Sequence, residues 1–348
     1  MMPSRLLSDA VKSSRKWEKI RHGLRLISLV SACMLGGSAF PVDIGWVRSR
    51  LWLLSATLIV VSVWLSLQTF GFDWTRSDGD PWNYLAAGER LNADHPLYEL
   101  SPGDRQVIIV PPYWSVPLLA PPPIAVVWRP LAALGPPSMW LWGLACAVSI
   151  VGSCCYLAGR GAHWFVAILA TSLTLTVLSG NASAVVLPML LGAWVFRDRP
   201  WIVGTLIAAA VAIKLTPIAL VIWLAGTRRW RAIAATVAAG LTILLISILG
   251  AGIGSFTEWL AGATTAAPSP SAFATMLGVS PVSVVALFAL PVLLSWGRDR
   301  PAFSAAIAAA ALMTPALYFS AFALLAAAIA PWVRRPPAAV HESAVDIA

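Results

Sequence analysis

Charge is what this chain has least of. Only 11% of its 348 residues are charged and only 15 are acidic, where a soluble globular domain carries about a quarter charged residues. With a mean hydropathy of +0.78, that shortage excludes an ordinary soluble enzyme and leaves a helical membrane protein. The net charge of +9 is no nucleic-acid signal, because the basic residues sit in short clusters between apolar runs, as cytoplasmic loops do. Cysteine is scarce: Cys33, Cys146, Cys154 and Cys155 all lie in apolar segments, without histidines at metal-ligand spacing. Neither a disulfide framework nor a metal site is expected. The phosphate-cradling Gly-Lys loop, the Rossmann glycines, the nucleophile elbow and the His-Glu-x-x-His pair are all absent, so nothing supports a soluble nucleotide-using mechanism and no cofactor is expected.

What is present is a nearly unbroken succession of apolar runs from Leu51 to Trp332. It predicts one all-α, polytopic helical membrane domain over 51–332, with about 8–11 membrane helices. A basic segment, 1–50, precedes it and contains an interfacial or re-entrant stretch, Leu26 to Phe40; a tail, 333–348, follows. The arginines cluster at Arg48/Arg50, Arg160, Arg197/Arg199, Arg228/Arg229/Arg231, Arg298/Arg300 and Arg334/Arg335. Placing all of them in the cytoplasm of a cell membrane puts both termini there and two loops, about 71–137 and 251–280, on the outer face. Single spans are expected at Leu51–Phe70, Met139–Leu157, Trp164–Leu178, Ala182–Phe196, Ile233–Leu249 and Pro281–Trp296.

Two stretches, Trp201–Ala225 and Ala302–Ala330, begin and end beside arginines yet are too short for two complete spans. Each carries a mid-length proline, Pro217 and Pro315, so each reads as a re-entrant hairpin of short helices. Broken backbone at membrane depth must line a cavity or be covered by protein. The proline-rich stretch from Val110 to Pro137 excludes one clean helix and reads as an external re-entrant or surface helix.

The stretch from Asp73 to Glu99 in the first loop holds Asp73, Asp78, Asp80, Glu89, Asp94 and Glu99, six of the 15 acidic residues. Such a loop is either a solvated spacer or an active site. Asp80 opens D-P-W-N-Y, where it suits a helix N-cap as well as a catalytic role. Asp78 and Asp80 form D-x-D, a weak cation signal. Lys214, in AVAIKLTPIAL, is an ionisable residue inside an apolar run: it either faces a cavity, where a cation suits a phosphate, or snorkels to an interface. Asn181 in SGNAS is a glycosylation sequon or a polar lining residue, and His163 reads as interfacial. Trp74, Trp82, Trp114 and Trp128 are sugar-stacking candidates among 18 tryptophans.

Taken in order, these pieces resemble the polyprenyl-phosphate-sugar-dependent membrane glycosyltransferases of family 87, in the C-type superfamily. The resemblance rests on Asp80 four residues before Tyr84, then Ala86/Ala87 and Pro96-Leu97-Tyr98. APPPIAVVWRPLAAL follows, with alanine in place of a family tyrosine, then Gly180-Asn181, then Ala210, Lys214 and Pro217 ahead of the arginines. Where relatives carry a late histidine, this chain offers Tyr318. The resemblance implies an inverting transfer of a sugar, mannose first, from a polyprenyl-phosphate donor to a glycan or glycolipid acceptor on the outer face. Asp80 would be the general base and Lys214 the phosphate ligand, with Asp78, Tyr84, Tyr98, Asn181 and Tyr318 as pocket candidates. A transporter or flippase of lipid-linked sugars is the alternative, since it also needs broken helices and a buried cation.

Overall fold

The computed structural model describes residues 44–75, 79–107, 118, 120–265, 273–278, 280–314 and 319–333. Cys33, the Leu26–Phe40 stretch, Asp78, Trp114, Pro315, Tyr318 and the tail from Arg334 onward lie outside them. The chain forms two compact units, Met1–Arg50 and Leu51–Ala348.

All regular structure among the described residues is helical. In order come α1 (Ile44–Phe70), α2 (Asp80–Asn92), α3 (Pro122–Ala132), α4 (Pro137–Gly159), α5 (His163–Ile168), α6 (Ala170–Leu178) and α7 (Ser183–Val195). Then follow α8 (Pro200–Ile213), a 3-10 turn (Thr216–Ile218), α9 (Ala219–Gly226), α10 (Trp230–Thr265), α11 (Phe273–Leu277), α12 (Pro281–Leu294), α13 (Asp299–Leu312), α14 (Phe319–Phe322) and a 3-10 helix, Ala323–Trp332. Among the described residues, three stretches are long and apolar enough to cross a membrane: Arg50–Phe70, Pro137–Gly159 and Trp230–Gly262. Leu53, Val60 and Trp64 on α1 and Leu241 and Leu249 on α10 stay exposed, apolar side chains of the kind lipid covers.

The core lies between the shorter helices. Leu187 and Leu190 of α7, Val203 and Ile207 of α8, Trp223 of α9 and Phe303 and Ile307 of α13 are fully buried. Without a water-driven hydrophobic effect between them, membrane helices associate by close approach of small residues. At Gly204 of α8 a Cβ would fall 2.6 Å from the Ala235 Cβ of α10, so the two backbones touch there.

The expected break of Trp201–Ala225 is present, and in Ala302–Ala330 the two flanking helices pack together, with the turn at Pro315 outside the described residues. Helix α8 stops where Lys214 turns extended (φ −145°, ψ 118°), and the chain returns through the 3-10 turn and α9. Its first residue, Pro200, and the residues after α9, Arg228 and Arg229, line one cavity, so the path doubles back. In the second stretch Ser304 of α13 donates to the Ala328 carbonyl and Trp332 donates to Ser304.

Two expectations need correction. Trp164–Leu178 is not one uninterrupted helix: Leu169 leaves the helical geometry (φ −91°, ψ 3°) and divides it into α5 and α6. No proline or glycine marks that break, and a continuous apolar run fits two packed short helices as well as one long one. The stretch read as a second loop, about 251–280, is helical to Thr265 except at Gly252, whose non-helical geometry (φ 76°, ψ 154°) separates two helical segments of α10. Helix α3 buries one face, with Ile124, Ala125 and Trp128 inside and Val127 exposed, and its Arg129 donates to the Gly250 carbonyl of α10 at 2.7 Å.

Candidate active site

The site is built on the first residue of α2. The helix cap is Gly79, in extended conformation, and Asp80 is already helical. Its carboxylate is therefore not used in capping, contrary to the capping reading of the sequence. Pro81 in the first turn costs no hydrogen bond, since that N–H has no partner in any helix. Tyr84, Leu85, Ala87, Gly88 and Leu91 bury the inner face of α2, which fixes where Asp80 emerges.

What Asp80 meets is the turn between α6 and α7. Gly180 adopts φ +59°, a left-handed geometry that side chains resist. A Cβ there would lie 2.3 Å from Pro81 Cγ, so glycine is required twice over, by backbone and by contact. Trp142 of α4 holds the turn from behind, its indole N–H donating to the Gly180 carbonyl at 2.7 Å. Asn181 Oδ1 accepts the Ser183 N–H at 2.8 Å, which commits the other end of the amide: Nδ2 donates to Asp80 Oδ2 at 2.5 Å. The Tyr84 hydroxyl takes the Ala182 N–H.

Lys214 completes the line. At the broken end of α8 its Nζ donates to Ser183 Oγ at 3.0 Å, and it attracts the Asp80 carboxylate through space. Asp80, Asn181 and Lys214 are each half-buried. Burial pushes the Asp80 pKa above the usual carboxylate range, while the Asn181 hydrogen bond and the Lys214 charge pull it back. The result is a carboxylate more basic than one in water, with a cation close by. Burial and then the Asp80 charge push the Tyr84 phenol well up, so it stays neutral. Two cavities of about 410 and 490 Å³ lie elsewhere, at the arginine end of the bundle.

Asp80, Lys214, Asn181 and Tyr84 thus come together, as the sequence suggested. Tyr98 does not: its hydroxyl donates to the Ala120 carbonyl at 2.9 Å, fastening the loop after α2 to the approach to α3. Asp78 and Tyr318 fall outside the described residues. The tryptophans read as stacking candidates are occupied: the Trp74 indole donates to Val177, that of Trp82 donates to Gln106 beneath the Arg105 guanidinium, and Trp128 is fully buried. His163 is buried and stacks on Trp52 at 4.0 Å.

Sequence reasoning missed Ser183, whose only signal was its place as the third residue of the Asn181 sequon. It also missed Asn83, one turn from Asp80, whose Oδ1 is buried with no hydrogen-bond partner among the described residues. Buried side-chain oxygens are rarely left so.

Fold and site together define a helical membrane protein in which one carboxylate and one ammonium group meet at the ends of broken apolar helices. Residues 119–346, more than half of the chain, match glycosyltransferase family 87; the chain belongs to that family. The matched residues include Asn181, Ser183 and Lys214 and begin after Asp80. The chain is also similar to a polyprenol-phosphate-mannose-dependent alpha-(1-2)-phosphatidylinositol pentamannoside mannosyltransferase of Mycolicibacterium smegmatis. The two are 28% identical over 244 residues, which cover 65% of this chain and 57% of that protein. This chain therefore spans little more than half the length of the curated relative it matches. No solved structure matches it.

Proposed function

We propose that the chain transfers a mannosyl residue from a polyprenyl-phosphate donor to a hydroxyl of a glycan or glycolipid, at the outer face of the cell membrane and with inversion. The carrying observation is the polar line Asp80, Asn181, Ser183, Lys214 in an otherwise apolar bundle. The family match and the donor in the relative's name support the same reading.

The chemistry needs two opposite charges a sugar's width apart. As the acceptor oxygen forms its bond to the anomeric carbon, its proton passes to the Asp80 oxygen that Asn181 leaves free, a proton transfer worth about 10²–10⁴-fold. The bond from the anomeric carbon to the phosphate oxygen breaks with its electron pair, and Lys214 receives the negative charge that grows there. Fixed charge aimed at developing charge is commonly the largest catalytic contribution. Ser183 holds the ammonium group and Asn181 the carboxylate, so neither must reorganise during the reaction.

The reading is tested with Asp80→Asn in purified, detergent-solubilised protein supplied with polyprenyl-phosphate [³H]mannose and membrane acceptors. The variant should remain monodisperse and lose transfer by about 10³-fold or more. Undiminished transfer would remove Asp80 from the chemistry, and lipid-linked mannose moved across a vesicle bilayer without transfer would favour a flippase.

A further inference from the structure

The end of the bundle that carries the arginines is a second polar site, remote from Asp80. Helix α7 starts at Ser183 and ends at Val195, just before Arg197, and its 13 residues at about 1.5 Å each place the two ends roughly 20 Å apart. Two adjoining cavities open there. One, of about 410 Å³, is lined by Thr227, Arg228, Arg229, Trp296 and Asp299. The other, of about 490 Å³, is lined by Arg197, Asp198, Arg228, Arg229, Trp230 and Arg231.

The arginines divide into two kinds. Arg197 and Arg229 are neutralised by Asp299 at 3.3 and 3.2 Å, and Arg229 also by Asp198 at 3.2 Å. They brace α7, α9 and α13. Arg228 and Arg231 are exposed and carry no ion pair among the described residues. Arg228 also occupies a costly position. It follows the cap of α9, where its N–H bonds to the Ala225 carbonyl and the next N–H reaches back to Leu224. At φ +57° this is a place where glycine is free of strain. A left-handed arginine there is an outlier that calls for a reason in its side chain, and that side chain lines both cavities.

We infer that this cavity pair is a binding site for the phosphate of an anionic lipid headgroup, held by Arg228 and Arg231. The depth selects a lipid over a soluble anion. Trp201 and Trp230, 70% and 63% exposed, flank the site at the starts of apolar α8 and α10, and Trp296 lines it. Tryptophans in that arrangement mark the headgroup level, where lipid phosphates are concentrated. Two uncompensated arginines at that level amount to roughly a thirtyfold preference for an anionic over a zwitterionic lipid. The inference stands whether or not Asp80 is the catalytic base.

Native mass spectrometry of the full chain in neutral detergent tests it. The protein is titrated with dioctanoyl phosphatidylglycerol, dioctanoyl phosphatidylcholine or inorganic phosphate. The phosphatidylglycerol adduct should form at roughly thirtyfold lower concentration than the phosphatidylcholine adduct. Arg228→Gln with Arg231→Gln should erase that difference, and Arg160→Gln, the loss of one charge away from the cavities, should leave it largely intact. Arg228→Gly keeps the proposal falsifiable if the double variant fails to fold, because glycine suits the backbone there: it should weaken the adduct while raising thermal stability. Equal binding of the two lipids, or wild-type adducts in the double variant or in Arg228→Gly, would overturn the inference. Displacement of the lipid by inorganic phosphate at equal concentration would overturn the lipid assignment.

Discussion

Replacing Gly180 by alanine puts the proposed site under its most direct strain. A Cβ at that position would lie 2.3 Å from Pro81 Cγ and 2.8 Å from Pro81 Cδ, while Trp142 Cδ1 at 3.7 Å is an ordinary neighbour. The shortfall against normal contact is about 1 Å, and it falls on a rigid ring in the first turn of α2. Alanine at a left-handed position costs about 1–2 kcal/mol, and overpacking costs about 1–3 kcal/mol, unless the turn backs away. Backing away separates Asn181 from Asp80, whose bond is 2.5 Å long. A displacement of about 1 Å in a positioning group costs about 100-fold in rate. Gly180→Ala is therefore expected to retain folded protein of reduced thermal stability and to lose about 100-fold in kcat/KM for mannosyl transfer. Pro81→Ala supplies the control: it deletes the two obstructing atoms, so Gly180→Ala with Pro81→Ala should recover at least tenfold over Gly180→Ala alone. Strict additivity of the two substitutions, or wild-type transfer by Gly180→Ala, would refute the claim that this contact sets the carboxylate's position.

Further outcomes follow from the same line of residues. Asn181→Ala removes a hydrogen bond that lowers the Asp80 pKa, and since transfer requires the carboxylate, the acid limb of the kcat/KM profile should move to higher pH; an unmoved limb would separate Asn181 from the titrating group. Ser183→Ala deprives Lys214 of its 3.0 Å acceptor and should cost about tenfold in transfer, the scale of one hydrogen bond to a charged group. Lys214→Met should cost about 10²–10³-fold, with the loss in kcat and not only in KM. Trp142→Phe leaves the Gly180 carbonyl without its 2.7 Å donor; a stability loss of about 1–3 kcal/mol is expected in thermal melts, with a smaller loss of transfer than Gly180→Ala.

How much of this was legible in the sequence depended on how costly each feature is. Lys214 and Asp80 stood out because a charge in or beside an apolar run must be compensated, and few are present to choose among. The break of Trp201–Ala225 was legible for a similar reason, since a stretch bounded by arginines and too short for two spans has to turn inside the protein. Ser183 was not, because serine in a turn is cheap and common and its partner lies 31 residues away. The division of Trp164–Leu178 at Leu169 was invisible, as apolar residues fit either outcome. Gly252 misled in the other direction: glycine among serine and threonine reads as a loop, whereas packing of α3 against α10 keeps both sides of the kink helical.

The lengths of the helices that meet at the site bear on the choice of donor. Helix α7 has 13 residues and α8 has 14, about 20 Å each, against a hydrocarbon layer of about 30 Å. With the arginine end at one interface, Asn181 and Lys214 stop roughly 10 Å short of the other. A water-soluble sugar nucleotide would have to carry several charges down to that depth. Under the proposed function a polyprenyl phosphate would carry only its phosphate there, on a chain already dissolved in the same layer, and the half-buried ammonium group of Lys214 would be its partner. The backbone left open at the end of α8 fits the same account. Its polar groups need a wet or polar cavity at that depth, and a cavity recessed in the layer is what a lipid-tethered sugar can enter without its lipid leaving the bilayer.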